Sequence, residues 1–229
     1  MELSNRLKAV ANLVSQDVSL ADVGTDHGYV PIYLMKTGKI SKAIAMDVNA
    51  GPLKRAKDHI IEQDVSIETR LSDGVASLQV GEVECVVVAG MGGALTIHIL
   101  EEGRQIFQTL KEFVLQPQSE IKKVREYLFH NGYSIVEEDM IFEDGKFYPM
   151  MKVVKGESEA YNAMELCFGK VLLKKQHPVL KQFLEKEYAK KNNIMNTLKK
   201  EKGTHIEIRI KEIEDEVEVI QDALQRYYQ

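Results

Sequence analysis

The stretch LADVGTDHGYVP, Leu20 to Pro31, runs from apolar residues through a glycine-containing loop into a helical pattern. Leu20–Gly24 predicts a buried strand, and Val30–Thr37 a helix with Pro31 tolerated in its first turn. Glycine at the C-terminal end of such a strand lets a ligand approach the backbone closely. The same segment carries Asp22, Asp26 and His27. A dinucleotide site is marked by G-x-G-x-x-G. Gly24-Thr25-Asp26-His27-Gly28 keeps two of those glycines and puts Asp26 where the second would admit a pyrophosphate. A carboxylate facing two phosphates is repulsive. An acidic loop instead suits the ammonium and sulfonium of S-adenosylmethionine, which becomes the expected cofactor; NAD is disfavoured.

Working outward, apolar segments alternate with helical patterns. Ala43–Val48 reads as a second strand and Pro52–Gln63 as a helix. Ser66–Leu71 reads as a third strand, and Cys85–Ala89, apolar on both faces, as a central fourth. Ala94–Leu110 reads as one helix, Glu112–Leu115 as a fifth strand and Glu120–Asn131 as another helix. Strand–helix alternation predicts a parallel sheet with helices on both faces. Tyr133–Phe142, the turn Glu143-Asp144-Gly145-Lys146 and Phe147–Lys155 then predict a β-hairpin. The fold class expected is α/β: a Rossmann-like class I methyltransferase sheet closed by an antiparallel hairpin.

Three acidic positions fall at strand ends, where open α/β sheets bind ligands. Asp22 belongs to the first strand. Asp47, followed by Val48, ends the second and can accept both ribose hydroxyls. Asp73-Gly74 follows the third and can meet an adenine amine. Each aspartate alone is also a common turn former. Ala89-Gly90-Met91-Gly92-Gly93 after the fourth strand reads as backbone open to close approach by a flat ligand, with a tight strand-to-helix turn as the alternative; no Asn/Asp-Pro-Pro-aromatic motif occurs there. Gln116-Pro117 after the fifth strand is a candidate acceptor contact. His59, His98 and His130 fall on helical patterns and read as surface or core residues.

The 229 residues carry two cysteines, Cys85 and Cys167, too few for a disulfide framework or a zinc site. No metal is expected. No run of 18 apolar residues occurs, so no membrane span is expected. The opening MELSNRLKAVANLV reads as an amphipathic helix rather than a signal peptide, and a cytoplasmic protein is expected. The net charge of −5 is unevenly spread: residues 170–202 hold ten lysines and three glutamates, and residues 203–229 three basic and seven acidic residues. The lysine run reads either as a solvated helix face or as a footprint for a polyanion.

Gly156-Glu157-Ser158-Glu159 is a polar break, predicting domains at 1–156 and 157–229. Beyond it, Leu184, Tyr188, Lys191, Met195 and Leu198, and then Ile206, Ile210, Ile213, Val217, Ile220, Leu224 and Tyr227, step by alternating threes and fours. Gly203 and Thr204 interrupt the pattern. Two helices forming an antiparallel coiled-coil hairpin are expected. Packing as a bundle or as a dimer seam is the alternative, and monomer against weak dimer stays open.

DVGTDHGY, AMDVN, LSDG, AGMGG and VLQPQ, in this order and spacing, resemble the bacterial tRNA (adenine-22-N1)-methyltransferase family over most of the chain. The resemblance implies S-adenosylmethionine as donor and N1 of a D-arm adenine in tRNA as acceptor. It implies that Asp22, Gly24, Asp26, Asp47, Asp73 and Gly90 surround the donor. The expected donor set is completed by Thr25, Val48, Gly74 and Met91. Asp26 and His27 are the expected catalytic residues. Adenine N1 has no proton to lose, so the expected chemistry is alignment plus stabilisation of the positive charge arriving on the base. Asp26 either does this or binds the donor's ammonium. Arg6, Tyr29, Gln116, Lys190, Lys191, Lys199 and Lys200 are the expected substrate contacts. The alternatives are a methyltransferase for another substrate and a non-catalytic donor- or RNA-binding module.

Overall fold

Two uninterrupted apolar runs, Ala43–Met46 and Cys85–Val88, are buried throughout and belong to the inner strands of one sheet. In this computed structural model, which describes residues 3–200 and 203–228, that sheet has seven strands. They are β1 (Leu20–Val23), β2 (Ala43–Asp47), β3 (Glu68–Leu71), β4 (Cys85–Met91), β5 (Glu112–Pro117), β6 (Tyr133–Glu143) and β7 (Lys146–Lys155). Their order is β3-β2-β1-β4-β5-β7-β6. The first five pair in parallel, and β7 runs antiparallel to both β5 and β6. The order reverses between β1 and β4, which makes their C-terminal ends the switch point where such sheets bind ligands.

The helices around the sheet are α1 (Asn5–Leu13), α2 (Tyr29–Lys36), α3 (Ala50–Glu62), α4 (Gly93–Glu102), α5 (Arg104–Phe107) and α6 (Ile121–His130). Side chains alternate across a strand, so β4 serves two cores. Val86 and Val88 join Leu100, Phe107, Val124 and Leu128 on one face. Cys85 and Val87 join Val10, Leu13, Val30 and Leu34 on the other. Ser4 starts α1, its hydroxyl accepting from the Leu7 N–H at 3.2 Å. Met1 and Glu2, part of the expected N-terminal helix, lie outside the described residues.

Three local expectations change. The helix expected over 94–110 breaks at Gly103, whose N–H caps the Ile99 carbonyl. A Cβ there would fall 2.3 Å from Val75 Cγ2 and 2.8 Å from the Ile99 carbonyl oxygen, so close packing keeps glycine at the break, although the apolar spacing continues across it. β4 runs on through Met91, past the expected end at Ala89, with a register shift between Ala89 and Met91. In the hairpin, Glu143 pairs with Lys146, which shortens the turn to Asp144-Gly145. Both turn residues have positive φ, 49° and 79°, as a two-residue type I′ turn requires.

The chain divides into two compact units, Met1–Ala160 and Tyr161–Gln229. The second contains α7 (Ala163–Phe168), α8 (Lys170–Lys174), α9 (Pro178–Leu198) and α10 (Thr204–Tyr228). Asn162 and Glu165 form a reciprocal capping box at the start of α7. Helices α9 and α10 pack on each other. Leu184, Ile206, Ile213 and Ile220 of the expected seam are buried, and Tyr188, Met195, Leu198, Ile210, Val217, Leu224 and Tyr227 half-buried. Ala223 is buried beside Leu224, widening the seam. Lys202, the last of the lysine run, lies outside the described residues.

Candidate functional site

Beyond Val23 the chain turns over β2, where the Gly24 and Thr25 N–H groups donate to the Met46 carbonyl at 2.8 and 3.0 Å. Gly24 has φ +74°, and a Cβ on it would meet Met91 Cε at 2.3 Å. The left-handed conformation favours glycine there, and the mobile tip of Met91 covers a backbone that no side chain of its own shields. Gly24 lies between two clefts at the strand ends and lines both, as do Ala89 and Gly90.

The first cleft, about 330 Å³, is lined by Arg6, Asp22, Thr25, Asp26, His27, Tyr29 and Gln118, with Leu7 and Val30 among its apolar walls. Asp22 is 6% exposed. The Thr25 hydroxyl donates to its Oδ2 at 2.6 Å. Burial pushes the Asp22 carboxyl up to about 7; Thr25 opposes the shift and the nearby Asp47 charge adds to it. A carboxyl held this way ionises more readily once a cation arrives beside it. Asp26 differs: its side chain is 56% exposed and paired with Arg55, with His27 Nε2 at 3.5 Å from its second oxygen.

Arg6 reaches the same cleft from α1. Its Nη1 donates to Gln116 Oε1 at 2.9 Å, and its guanidinium lies 5.6 Å from the centre of the Tyr148 ring. Glu143 fixes the start of α1 by accepting from the N–H groups of Asn5 and Arg6 at 2.7 and 3.3 Å. Gln116, expected to touch substrate, is fully buried and faces Arg6, whereas Gln118 lines the cleft.

The second cleft, about 270 Å³, is lined by Asp47, Val48, Asn49, Ser72, Asp73, Gly74, Met91 and Leu95. Asp47 is 8% exposed. Its Oδ1 accepts the Asn49 N–H at 2.8 Å. Val48 and Leu95 are apolar yet 57% and 47% exposed, the kind of surface that covers a flat ring.

The structure therefore gathers Asp22, Gly24, Thr25, Asp26, His27, Tyr29, Gly90 and Arg6 on one cleft, and Asp47, Val48, Asp73, Gly74 and Met91 on its neighbour. Leu7, Gln118 and Leu95 line these clefts without having been expected, and Arg55 and His59 contact Asp26 and His27. Gln118 lies just past the end of β5, at the strand ends where such sheets bind ligands, and that position was the available signal for it. Arg55 had no such signal, since its partner lies 29 residues away.

In the second unit, Lys191 reaches Glu216 at 2.5 Å and Lys199 reaches Glu214 at 3.4 Å, both between α9 and α10. Lys190 pairs with Glu187 at 3.4 Å within α9, and Lys200 is exposed just past the helix end. Among the described residues no helix is long and apolar enough to cross a membrane, and no group of three or more His, Cys, Asp or Glu is placed to hold a metal ion.

A family model described as tRNA (adenine(22)-N(1))-methyltransferase matches residues 20–222. The tRNA (adenine(22)-N(1))-methyltransferase of Bacillus subtilis is 30% identical over 232 residues, spanning 98% of each chain. Among solved structures, a candidate tRNA (m1A22) methyltransferase from Streptococcus pneumoniae superposes with a TM-score of 0.90 at 34% identity, over 97% of this chain and 100% of its own. Its complex with S-adenosyl-L-methionine gives 0.87 at 33% identity, over the same 97% and 100%. The M. capricolum structure holding the cofactor product S-adenosyl-homocysteine gives 0.85 at 26% identity, over 99% and 100%.

Proposed function

The chain belongs to the tRNA (adenine(22)-N(1))-methyltransferase family, and from that premise we propose how its own residues divide the work. The reaction is methyl transfer from S-adenosylmethionine to N1 of adenine 22 in bacterial tRNA. We assign the transfer to residues 1–156 and a tRNA-positioning role to residues 157–229. With tRNA as the substrate, the cytoplasm is the place of action.

The two clefts suit the donor's chemistry. In the second, Asp47 has one oxygen engaged by Asn49, and the other accepts the ribose hydroxyls. Val48 and Leu95 cover the adenine ring, and Asp73-Gly74 meets its edge. Gly24 and Gly90 allow the backbone to approach at the junction, where Met91 packs over Gly24. In the first, Asp22 takes the ammonium, and Arg6 is in reach of the carboxylate end or of the RNA. The observation that carries this reading is Asp22: a nearly buried carboxyl, held by Thr25, lining a cleft at the sheet's switch point. Bound S-adenosylmethionine supplies an electrophilic methyl group on a sulfonium centre.

Adenine N1 attacks with its own lone pair, so no residue has to remove a proton. The chain's task is to hold the base in line with the methyl group and to favour positive charge on the ring. Asp26 and His27, on the exposed rim of the first cleft, are the residues we assign to this, with Tyr29 and Gln118 contacting the base. N1 lies on the pairing edge, so a paired adenine must first be turned out, at roughly a few kcal/mol. Contacts by Lys190, Lys191, Lys199 and Lys200 to tRNA phosphates offset part of that cost without reading sequence. The assignment is tested by titrating the Asp22→Asn protein with the donor by calorimetry. Loss of donor affinity supports it; wild-type affinity removes Asp22 from the site.

A further inference from the structure

Asp26 and His27 sit on a loop that α3 meets at three successive points. Ala56, fully buried, packs its Cβ 3.4 Å from where a Cβ of Gly28 would lie. One residue before it, the Arg55 guanidinium pairs with Asp26 Oδ1. Four residues after Arg55, on the same helix face, His59 Nδ1 lies 3.0 Å from the His27 carbonyl. A carbonyl only accepts, so Nδ1 carries the proton and donates. The rings of His27, Tyr29 and His59 also stack, with centroids 5.0 to 5.4 Å apart and planes within 21° of parallel.

Without these contacts Asp26 would be a half-exposed aspartate on a loop, free to turn among its rotamers. Arg55 removes that freedom and leaves Oδ2 turned toward His27 Nε2 at 3.5 Å. His59 fixes both the backbone and the ring face of His27. We infer that Arg55 and His59 are positioning residues for methyl transfer: Arg55 aims the Asp26 carboxylate and His59 holds His27 against it. This rests on the assignment of Asp26 and His27 to the emerging charge on adenine. Exposed ion pairs contribute little to folding, so removing the Arg55–Asp26 pair leaves stability nearly unchanged and a change in transfer rate can be read separately.

The test measures single-turnover methyl transfer to unmodified tRNA, together with separate affinities for S-adenosylmethionine and tRNA. Arg55→Ala lowers the transfer rate by about tenfold to 10²-fold, the scale of misplaced reacting groups, with both affinities and the melting temperature unchanged. Arg55→Lys restores most of the rate, because a cation remains in reach of Oδ1. In an Asp26→Asn background, Arg55→Ala costs nothing further, since the group it aims is gone. His59→Gln, which keeps an N–H donor, retains more rate than His59→Ala. Arg55→Ala that weakens tRNA binding while transfer stays at the wild-type rate overturns the inference, as does an equal cost in the Asp26→Asn background; each makes Arg55 act on its own. His59→Ala at full rate removes His59 from it. Asp26→Asn at full rate instead rejects the role assigned to Asp26, a result distinct from an impaired Asp26→Asn beside an unimpaired Arg55→Ala.

Discussion

The sheet unit and the helical hairpin use charge in opposite ways. At the strand ends a few carboxylates are nearly buried, each with one named partner: Asp22 with Thr25, Asp47 with the Asn49 N–H. On α9 the lysines are numerous, mostly exposed and partly neutralised by neighbouring glutamates. A buried charge is expensive to misplace and strongly felt when removed. An exposed one is screened within about 10 Å at ordinary salt. The first region therefore depends on single residues, and the second on the sum of many.

The sharpest attempt to break that contrast is Asp22→Asn. Removing the charged partner of a buried pair costs about 2 kcal/mol or more, so donor affinity measured by calorimetry should fall by at least about thirtyfold. A small loss would mean that the cleft too works by summed charge. Next comes Arg6→Ala, which takes a guanidinium from the cleft and leaves buried Gln116 without its donor. An unsatisfied buried acceptor costs about 1–3 kcal/mol of folding stability, so denaturant titration should show a loss of that size.

The pH dependence is the third test. The Asp22 carboxyl stands near 7 instead of the ordinary 3.8. A cationic donor prefers the ionised form, so its affinity should fall as pH drops below about 7 and become flat with pH in Asp22→Asn. In the ligand-free protein the sign reverses. Between about 4 and 7 the folded state holds a proton that the unfolded chain releases, so unfolding free energy should decrease as pH rises through that window. Denaturant titrations at three pH values on wild type and Asp22→Asn check this difference.

For the hairpin the expected effects are smaller and additive. Four alanines at Lys190, Lys191, Lys199 and Lys200 should weaken tRNA binding and flatten its salt dependence. Four full phosphate contacts would reduce the logarithmic slope by about 3–4. With Lys190, Lys191 and Lys199 held by Glu187, Glu216 and Glu214, a reduction of about 1 is expected. Unchanged affinity would remove the lysines from tRNA binding. Lys190→Ala alone should move stability by less than about 0.5 kcal/mol. A larger shift would show that this surface, too, depends on single residues.

The same contrast governs how much could be read from the chain. The glycine loop, the acidic strand ends and the parallel sheet were legible because local patterns carry them: an apolar strand, a residue needing positive φ, an aspartate at a fixed offset. The α9–α10 seam was legible because its spacing repeats. What escaped depends on contacts distant in sequence. Gly103 abuts Val75, Gln116 accepts from Arg6 and Asp26 pairs with Arg55, each contact bridging distant segments. The lysine run could be counted, but its pairing with Glu214 and Glu216 needs the register of two helices. Sequence reading thus grouped residues that line the two clefts, while the side chains that contact them from other elements were not readable.

The most direct measurement is nucleoside analysis after incubating the protein with labelled S-adenosylmethionine and unmodified bacterial tRNA, beside a transcript carrying guanine at position 22. The account predicts label in N1-methyladenosine for the first and none for the second. Equal labelling of both transcripts, or label in any other nucleoside, would contradict it.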